Sequence, residues 1–522
     1  MVENMFTIEI AMLIAFAACY FIYQALFKRS NMPDLVIAGA KKGDWFPYLQ
    51  AKLRNTTDGQ KAIFSAYKEW PEKPYALPCF GSPAGMVVLP KSWIKNIISQ
   101  PDHVLNLWDI GVEMLQLDYA FLDKRFNSPP LHINLIAKTL TKNYGNLIPD
   151  MVEEANLAFT EQWGRSDEWT SVKVYDTVQN MLGLITSRVT YGLPLSRDPE
   201  LRKVTMEFVQ RSFVTGLMLY NVWKPIRPLV ALLATLPHRL SLYKFRRLIV
   251  PEVKKRLADS NRGEKKDQQN DFINWAIQQA EEFEDPYFSK PEVLASRALF
   301  ANYVSIHTSA FSLTHAVLDL ATAGPEVQEE MRQEVVSVLA SCNGEWSKKA
   351  LAKMYKIDSL LRESARLDTF MSVAGNRYIT APEGLALPNG QTLPKGTPIM
   401  FPAAPVMLDE IYYPNPLEFQ PLRFVPKANN EDDADDDMGT QDERRARTAF
   451  SCTSAEYMAF GHGKHACPGR FFAAAELKLM LAHLLLEYEL EKIDERPVGT
   501  WYGIMRIPPI SYQLKVRRRS QV

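Results

Sequence analysis

From Ser289 to Pro325 the chain carries a signal that few folds can absorb. Ser289-Lys290-Pro291-Glu292 has the form of a capping box, with a proline inside the first helical turn. Apolar character then runs on to Ala323, and Gly324-Pro325 stops it. A helix of about 33 residues, at about 1.5 Å each, spans roughly 50 Å. It is apolar on most faces, so it must cross the interior of a large domain. The 522 residues suffice for such a domain, and no internal repeat divides them.

Formal net charge is zero and charged residues make up 23%, which argues against a nucleic-acid binder. The five cysteines, Cys19, Cys79, Cys342, Cys452 and Cys467, are scattered and odd in number. That pattern argues against a disulfide framework and for a reducing compartment. Ile10 to Phe27 is apolar and uncharged, and extension back to Met5 adds only Glu9. This is enough to cross a bilayer core. Lys28 and Arg29 follow, placing the downstream side in the cytosol. With no basic segment before it and no small-residue cleavage site, the stretch reads as an uncleaved anchor. The expected organisation is an anchor at 1–29 (span about 8–27), a linker at 30–57 and one domain at 58–522. Eight acidic residues and no basic ones lie between Glu431 and Glu443, so 429–447 reads as a solvated acidic insertion.

The fold class is mainly α with a small β portion. Met151 to Leu351 reads as mostly helical, and a second helix is expected over roughly Ala350 to Phe370. Gly85 to Pro90, Arg377 to Thr380, Leu385 to Leu387 and Pro398 to Phe401 read as short strands between Gly/Pro turns.

The chemistry concentrates in Phe460-Gly461-His462-Gly463-Lys464-His465-Ala466-Cys467-Pro468-Gly469-Arg470. The glycines permit a tight turn that aims backbone N–H groups at a sulfur. Pro468 suits a first helical turn, and Phe472 to Met480 reads as a strong helix. Cys467 at that helix N-terminus would have its thiol pKa lowered. A thiolate is the axial iron ligand of oxygen-activating haem enzymes. Other readings of the same residues are a buried small hydrophobe, or a zinc site shared with His462 and His465.

The string resembles the haem-binding loop of the cytochrome P450 superfamily, with Phe460, Gly463, Cys467 and Gly469 at matching spacing. The resemblance covers essentially the whole chain. The long helix matches that family's central helix. Glu363-Ser364-Ala365-Arg366, followed by Arg423 in Phe419-Gln420-Pro421-Leu422-Arg423-Phe424, matches the triad that locks the layer beneath the haem. The resemblance implies haem b as cofactor, with Cys467 on iron. It implies Arg377 and His465 as propionate partners, His465 standing where the family often has arginine. Lys138 is a further propionate-facing candidate or a solvated helix lysine.

Thr308 matches the threonine that helps deliver protons to bound oxygen. His307 replaces the neighbouring acid and Ser305 the glycine. His307 is therefore either a relay that titrates near neutrality or a satisfied core histidine. The His-Thr pair and Cys-Pro-Gly-Arg-Phe-Phe look like fungal branches that decorate terpenoid or indole-diterpene-like secondary metabolites. The chain has no flavin or NADPH motif, so the resemblance implies an NADPH–cytochrome P450 reductase as electron donor. Lys464, Arg470 and Lys478 are candidates for its basic dock.

By family topology the substrate wall comes from Leu105–Phe121, Phe213–Pro237, Ala301–Thr308, Phe370–Ala374 and Trp501–Arg506. These stretches are rich in apolar and aromatic residues, which suits an apolar substrate. The expected protein is a monooxygenase using O2, single-pass in the endoplasmic reticulum membrane with a cytosolic catalytic domain. Two rivals stand: a haem-thiolate isomerase, dehydratase or desaturase, and a non-catalytic haem- or sterol-binding membrane protein.

Overall fold

A computed structural model describes residues 33–79, 86–222, 224–262, 269–425 and 446–520. The expected anchor at 1–29 and most of the acidic insertion, 429–445, lie outside the described residues. Among the described residues no helix is long and apolar enough to cross a membrane.

The long helix forms as the sequence predicts, over Pro291–Ala323, 33 residues. It ends at Gly324, whose φ of +88° only glycine adopts without strain. Its start differs from expectation. Lys290 is the N-cap, and no side chain caps the first turn. Ser289 stands one residue too early, so the capping box does not close, while Pro291 holds the first helical position. The helix is buried along almost its whole length. Apart from its end turns, only Val304, Ser305, Thr308 and Ser312 are not buried. That spacing is one face of a helix.

Among the helices that pack against this central one are Val174–Tyr191, Pro199–Tyr220, Leu236–Asn261, Tyr355–Leu367 and Arg470–Glu487. With the central helix and Pro47–Glu69, they are numbered in chain order. Pro47–Glu69 is α1, Val174–Tyr191 α2, Pro199–Tyr220 α3, Leu236–Asn261 α4, Pro291–Ala323 α5, Tyr355–Leu367 α6 and Arg470–Glu487 α7.

The second expected helix is broken. Lys348–Lys353 and α6 are separate, because Met354 (φ −82°, ψ 77°) leaves the helical region. Met354 is fully buried at the break.

The strands gather in a six-stranded mixed sheet. It holds β1 (Val36–Ile37), β2 (Tyr75–Ala76), β3 (Val87–Val88), β4 (Leu105–Asn106), β5 (Ala374–Ile379) and β6 (Pro398–Phe401), in the order β1-β2-β3-β6-β5-β4. β6 has the bounds expected from sequence. β5 starts three residues earlier than expected, where a bulge lets Ala374 and Arg377 both pair with β6. A smaller sheet joins Tyr488–Leu490, Gln513–Arg518 and Thr170–Lys173.

Residues 34–57, read from sequence as linker, are built into this fold. β1 pairs with β2, and α1 runs through the expected boundary with a kink at Asp58. Beyond the kink, α1 meets a C-terminal hairpin of β7 (Thr500–Tyr502) and β8 (Met505–Ile507). The Gly503 N–H donates to the Thr56 carbonyl at 3.0 Å. A Cβ on Gly59 would stand 2.3 Å from the Gly503 carbonyl oxygen, so only glycine permits this approach.

Candidate functional site

The site is built on α6. Glu363 is fully buried and faces two guanidinium groups. Arg366, one turn on, donates from Nε to Oε2 at 2.7 Å and from Nη2 to Oε1 at 2.9 Å. Arg423 donates from Nε to Oε1 at 3.0 Å, and the Gln420 N–H adds a bond at 3.1 Å. The arginines also bind carbonyls: Arg366 those of Met407 and Pro416, Arg423 those of Pro414, Asn415 and Glu418. One carboxylate thereby fastens the segment from Met407 to Arg423 onto α6.

The rest of α6 holds the chain that leads to Cys467. Asp358 accepts the Phe450 N–H at 3.0 Å, and Arg362 donates to the carbonyls of Ala449 and Cys452. Phe450 then meets Phe460 edge-on, with ring centroids 4.9 Å apart. The Cys467 N–H donates to the Phe460 carbonyl at 2.8 Å and closes the loop. Gly461 (φ +69°) and Gly463 (φ +78°) make the turn. Gly463 also lies against Ile98, where a Cβ would come within 3.2 Å.

Cys467 is half-buried. Backbone N–H groups of Gly469 and Arg470 point to its sulfur, as the sequence predicts. The free thiol nonetheless sits above its ordinary pKa. Burial raises it, and the two N–H groups and the Arg470 charge only partly oppose that. The expected net lowering therefore does not hold for the thiol alone. α7 begins at Arg470 with Gly469 as N-cap, so Pro468 precedes the helix instead of lying inside its first turn.

The zinc reading finds no support among the described residues, where no group of three or more His, Cys, Asp or Glu side chains is placed to hold a metal. His462 pairs with Thr453, and His465 with Asp102.

A haem carries two carboxylates and needs cationic partners. Arg377 suits one. It is buried on β5, Nη1 donates to the Asn376 carbonyl at 2.7 Å, and Nη2 has no partner among the described residues. Burial draws its pKa down to about 10, with only the Asp102 charge acting against that. His465 is differently engaged, with Nε2 lying 2.6 Å from Asp102 Oδ1. Lys138 is exposed in a π-helical stretch, Leu135–Leu140. The partly open sulfur of Cys467, the unpartnered buried guanidinium of Arg377 and the open face of α5 are each of a kind that fits a haem.

On α5, Thr308 lies on the open face, and its hydroxyl donates to the carbonyls of Val304 (3.0 Å) and Ser305 (3.1 Å). His307 turns the other way. Its Nδ1 accepts from Gln179 at 2.9 Å and lies 3.2 Å from the Tyr175 hydroxyl, both on α2. Burial lowers its pKa to about 4, so it is neutral at pH 7 and does not titrate near neutrality. This geometry matches the core-histidine reading.

Two residues escaped the sequence reading. Asp102, in a loop before β4, is the acid that His465 and Lys464 share. Glu476 on α7 is fully buried. It accepts from Thr186 of α2 at 3.1 Å and bonds Ser309 of α5, next to Thr308. Burial raises its pKa to about 8. A glutamate inside the apolar run after Cys467 was the available signal. The basic dock also needs correction. Lys478 is buried and paired with Asp358 at 3.0 Å, because α7 is buried on nearly every face. Lys464 is paired with Asp102, and Arg470 folds back on the Cys467 carbonyl.

Comparison with known proteins agrees with this geometry. The family model "Cytochrome P450" matches residues 130–516. Cytochrome P450 monooxygenase 103 of Postia placenta is 33% identical over 432 residues, 81% of this chain and 82% of that protein. Cytochrome P450 monooxygenase olcJ of Penicillium canescens is 30% identical over 494 residues, covering 93% and 88%. Cytochrome P450 monooxygenase tenB of Beauveria bassiana is 28% identical, covering 98% and 97%.

The Glu476 geometry predicts a pH signature. Between its ordinary pKa of 4.5 and about 8, the unfolded chain releases a proton that the folded chain keeps. Stability therefore falls as pH rises through that window. Glu476→Gln keeps the shape and removes the titration. Its stability relative to wild type, measured by urea unfolding, should grow from pH 5 to pH 8 by about 1–4 kcal/mol. A difference that stays flat with pH counts against a buried protonated carboxyl.

Proposed function

The chain belongs to the cytochrome P450 family, and from that premise we propose that it oxidises an apolar natural product of terpenoid type in fungal secondary metabolism, at a membrane, with electrons from an NADPH–cytochrome P450 reductase. Membership makes it a P450 monooxygenase with haem b and a cysteine thiolate on iron. The bound haem supplies dioxygen activation and C–H oxidation. We assign the thiolate to Cys467. The observation that carries the assignment is its half-buried sulfur at the end of a glycine turn, faced by the N–H groups of Gly469 and Arg470.

Those N–H groups withdraw some of the thiolate's charge and hold its direction. The free Nη2 of Arg377 would bind a haem carboxylate. Thr308 holds a hydroxyl on the open face of α5, where it passes or steadies a proton. His307 stays neutral and fastens α5 to α2. The mostly apolar stretches around α5 exclude water and suit an apolar substrate. Relatives from fungi support the metabolic setting.

Two features support a membrane surface. One is the apolar, uncharged segment Ile10 to Phe27. The other is a run of exposed large apolar side chains from the end of α3, through the short helix Arg227–Ala234, to the start of α4, among them Met218, Leu229, Leu232, Leu233, Leu236 and Leu240. A concentration of this kind marks an interaction site, and its proximity in the chain to the proposed substrate wall suits delivery of a lipid-soluble substrate. The expected compartment is the endoplasmic reticulum membrane, with the catalytic domain cytosolic.

Three measurements test this reading. Dithionite-reduced protein with carbon monoxide should give the strongly red-shifted Soret band of thiolate-ligated haem, and Cys467→Ala should abolish it. A shifted band in that variant would overturn the assignment. Thr308→Ala should keep NADPH consumption, lower product by roughly tenfold or more, and release peroxide; unchanged coupling refutes the proton role. In the full-length protein, a polarity-sensitive dye on Leu233→Cys should shift to the blue when liposomes are added. A dye that stays in water removes this face from the membrane.

A further inference from the structure

Far from the Cys467 loop, a second group of buried charges joins the end of α6, the last third of α5 and the C-terminal hairpin. Asp368 directly follows α6 and is buried, as are Asp319 and His315 on α5 and Arg506 on β8. Arg506 reaches Asp368 Oδ1 from Nη2 at 2.6 Å, and donates from Nη1 to the Leu367 carbonyl at 2.6 Å. Arg496 bridges both carboxylates, meeting Asp319 through Nε and Asp368 through Nη2. His315 Nδ1 lies 3.6 Å from Asp368. Burial, with the two arginine charges, keeps that ring neutral. The carboxylates and guanidinium groups therefore balance, two against two.

These charges hold a wall. From Arg506 the backbone continues the attachment: the Arg506 N–H donates to the Phe370 carbonyl and the Ser372 N–H to the Ile504 carbonyl, both at 2.8 Å. Met371 bridges to Met505. Phe370 in turn meets Phe311 of α5 with ring centroids 5.4 Å apart, one turn beyond Thr308. Trp501, opposite Arg506 in the hairpin, has its ring 5.5 Å from the guanidinium. Asp368 thus lies at one end of a continuous attachment whose other end is beside Thr308. If Asp368 loses its charge, Arg506 is left without its carboxylate partner and Arg496 with Asp319 alone, and removing one member of a buried pair is costly.

We propose that Asp368 is a positioning residue: through Arg506 and Arg496 it sets the wall formed by Phe370–Ser372 and the β7–β8 hairpin, and so decides which bulky substrates fit beside Thr308. The proposal rests on the monooxygenase reading above. It assigns no contact between Asp368 and substrate or haem. The residue acts on the shape of the wall alone.

Two nitrogen ligands of unequal size read that shape through the haem spectrum. Imidazole reaches iron without filling the cavity, whereas clotrimazole, a triaryl-substituted imidazole, must press on the wall. In full-length protein, Asp368→Asn should keep the red-shifted carbon monoxide band and hold imidazole affinity within about twofold. It should weaken clotrimazole by about tenfold or more. Arg506→Lys keeps the positive charge but loses the second contact, and should move the same pair in the same direction by less. If Asp368→Asn takes up no haem, Arg506→Lys decides by the same ratio. Equal changes for both ligands, or none, overturn the proposal while the band stays intact. A wild-type protein without that band would instead overturn the haem-thiolate reading itself.

Discussion

A carboxylate removed from water at the centre of the Cys467 side is the constraint on which the rest depends. Glu363 has no exposed surface, and its two oxygens take bonds from Arg366, Arg423 and the Gln420 N–H. An ion buried this deeply is tolerable only when every partner is in place. The partners come from α6 and from a segment some sixty positions on, at Gln420 and Arg423. Folding therefore cannot satisfy Glu363 without also fixing the segment that runs on towards the cysteine. Asp358, Ser359 and Arg362 on the same helix repeat this, holding Phe450, Phe424 and the carbonyls of Ala449 and Cys452. A sulfur that must meet a metal at fixed geometry is best carried on such a frame.

Much of this was legible in the residues. The central helix announced its length and its stop. Glu363, Arg366 and Arg423 come together as the family resemblance implied, and β6 has the bounds predicted for it. Each depends on a local pattern or on partners whose chemistry admits one arrangement. What escaped depends on burial, which no local pattern encodes. Lys478 reads as a surface lysine until α7 is seen to be buried on nearly every face, so that its ammonium must find Asp358. Met354 looks like any helix residue, yet its backbone leaves the helical region and divides the helix in two. The free Cys467 thiol is raised because the loss of water outweighs the N–H groups that the motif supplies. His465 carried a role by analogy, but Asp102, distant in sequence, already takes its ring.

Two buried ion clusters share α6, and their arrangement divides its labour. Glu363 and Arg366 bind the segment Met407 to Arg423, which precedes the cysteine in the chain. Asp368, just past the end of the helix, binds Arg496 and Arg506 on the side of the C-terminal hairpin. A single helix thus anchors both the chain that leads to Cys467 and the C-terminal hairpin. Its relation to α5 is fixed independently by Arg496, which bridges Asp368 to Asp319. Displacement of either cluster would be felt by the other through the helix itself, since buried cores transmit strain rather than absorb it.

The neighbourhood of Thr308 follows the opposite rule. On one side His307 is held by Gln179 with a pKa near 4, and on the other Ser309 touches Glu476, whose pKa lies near 8. At neutral pH both groups are uncharged, although each belongs to a residue type that is often ionised. Burial is the first cause in both cases, and it acts in opposite directions because it disfavours whichever form carries charge. A proton bound for Thr308 therefore meets no fixed charge on α5 itself within one turn of it. His307 holds its Nδ1 against α2, and Glu476 gives up its proton only above neutrality. The face of α5 that carries Val304, Ser305, Thr308 and Ser312 offers three hydroxyls and no ionisable side chain. If Thr308 has the proposed proton role, protons would have to come by way of hydroxyls and bound water rather than a charged relay on α5, which would tie coupling efficiency to how the substrate fills that face.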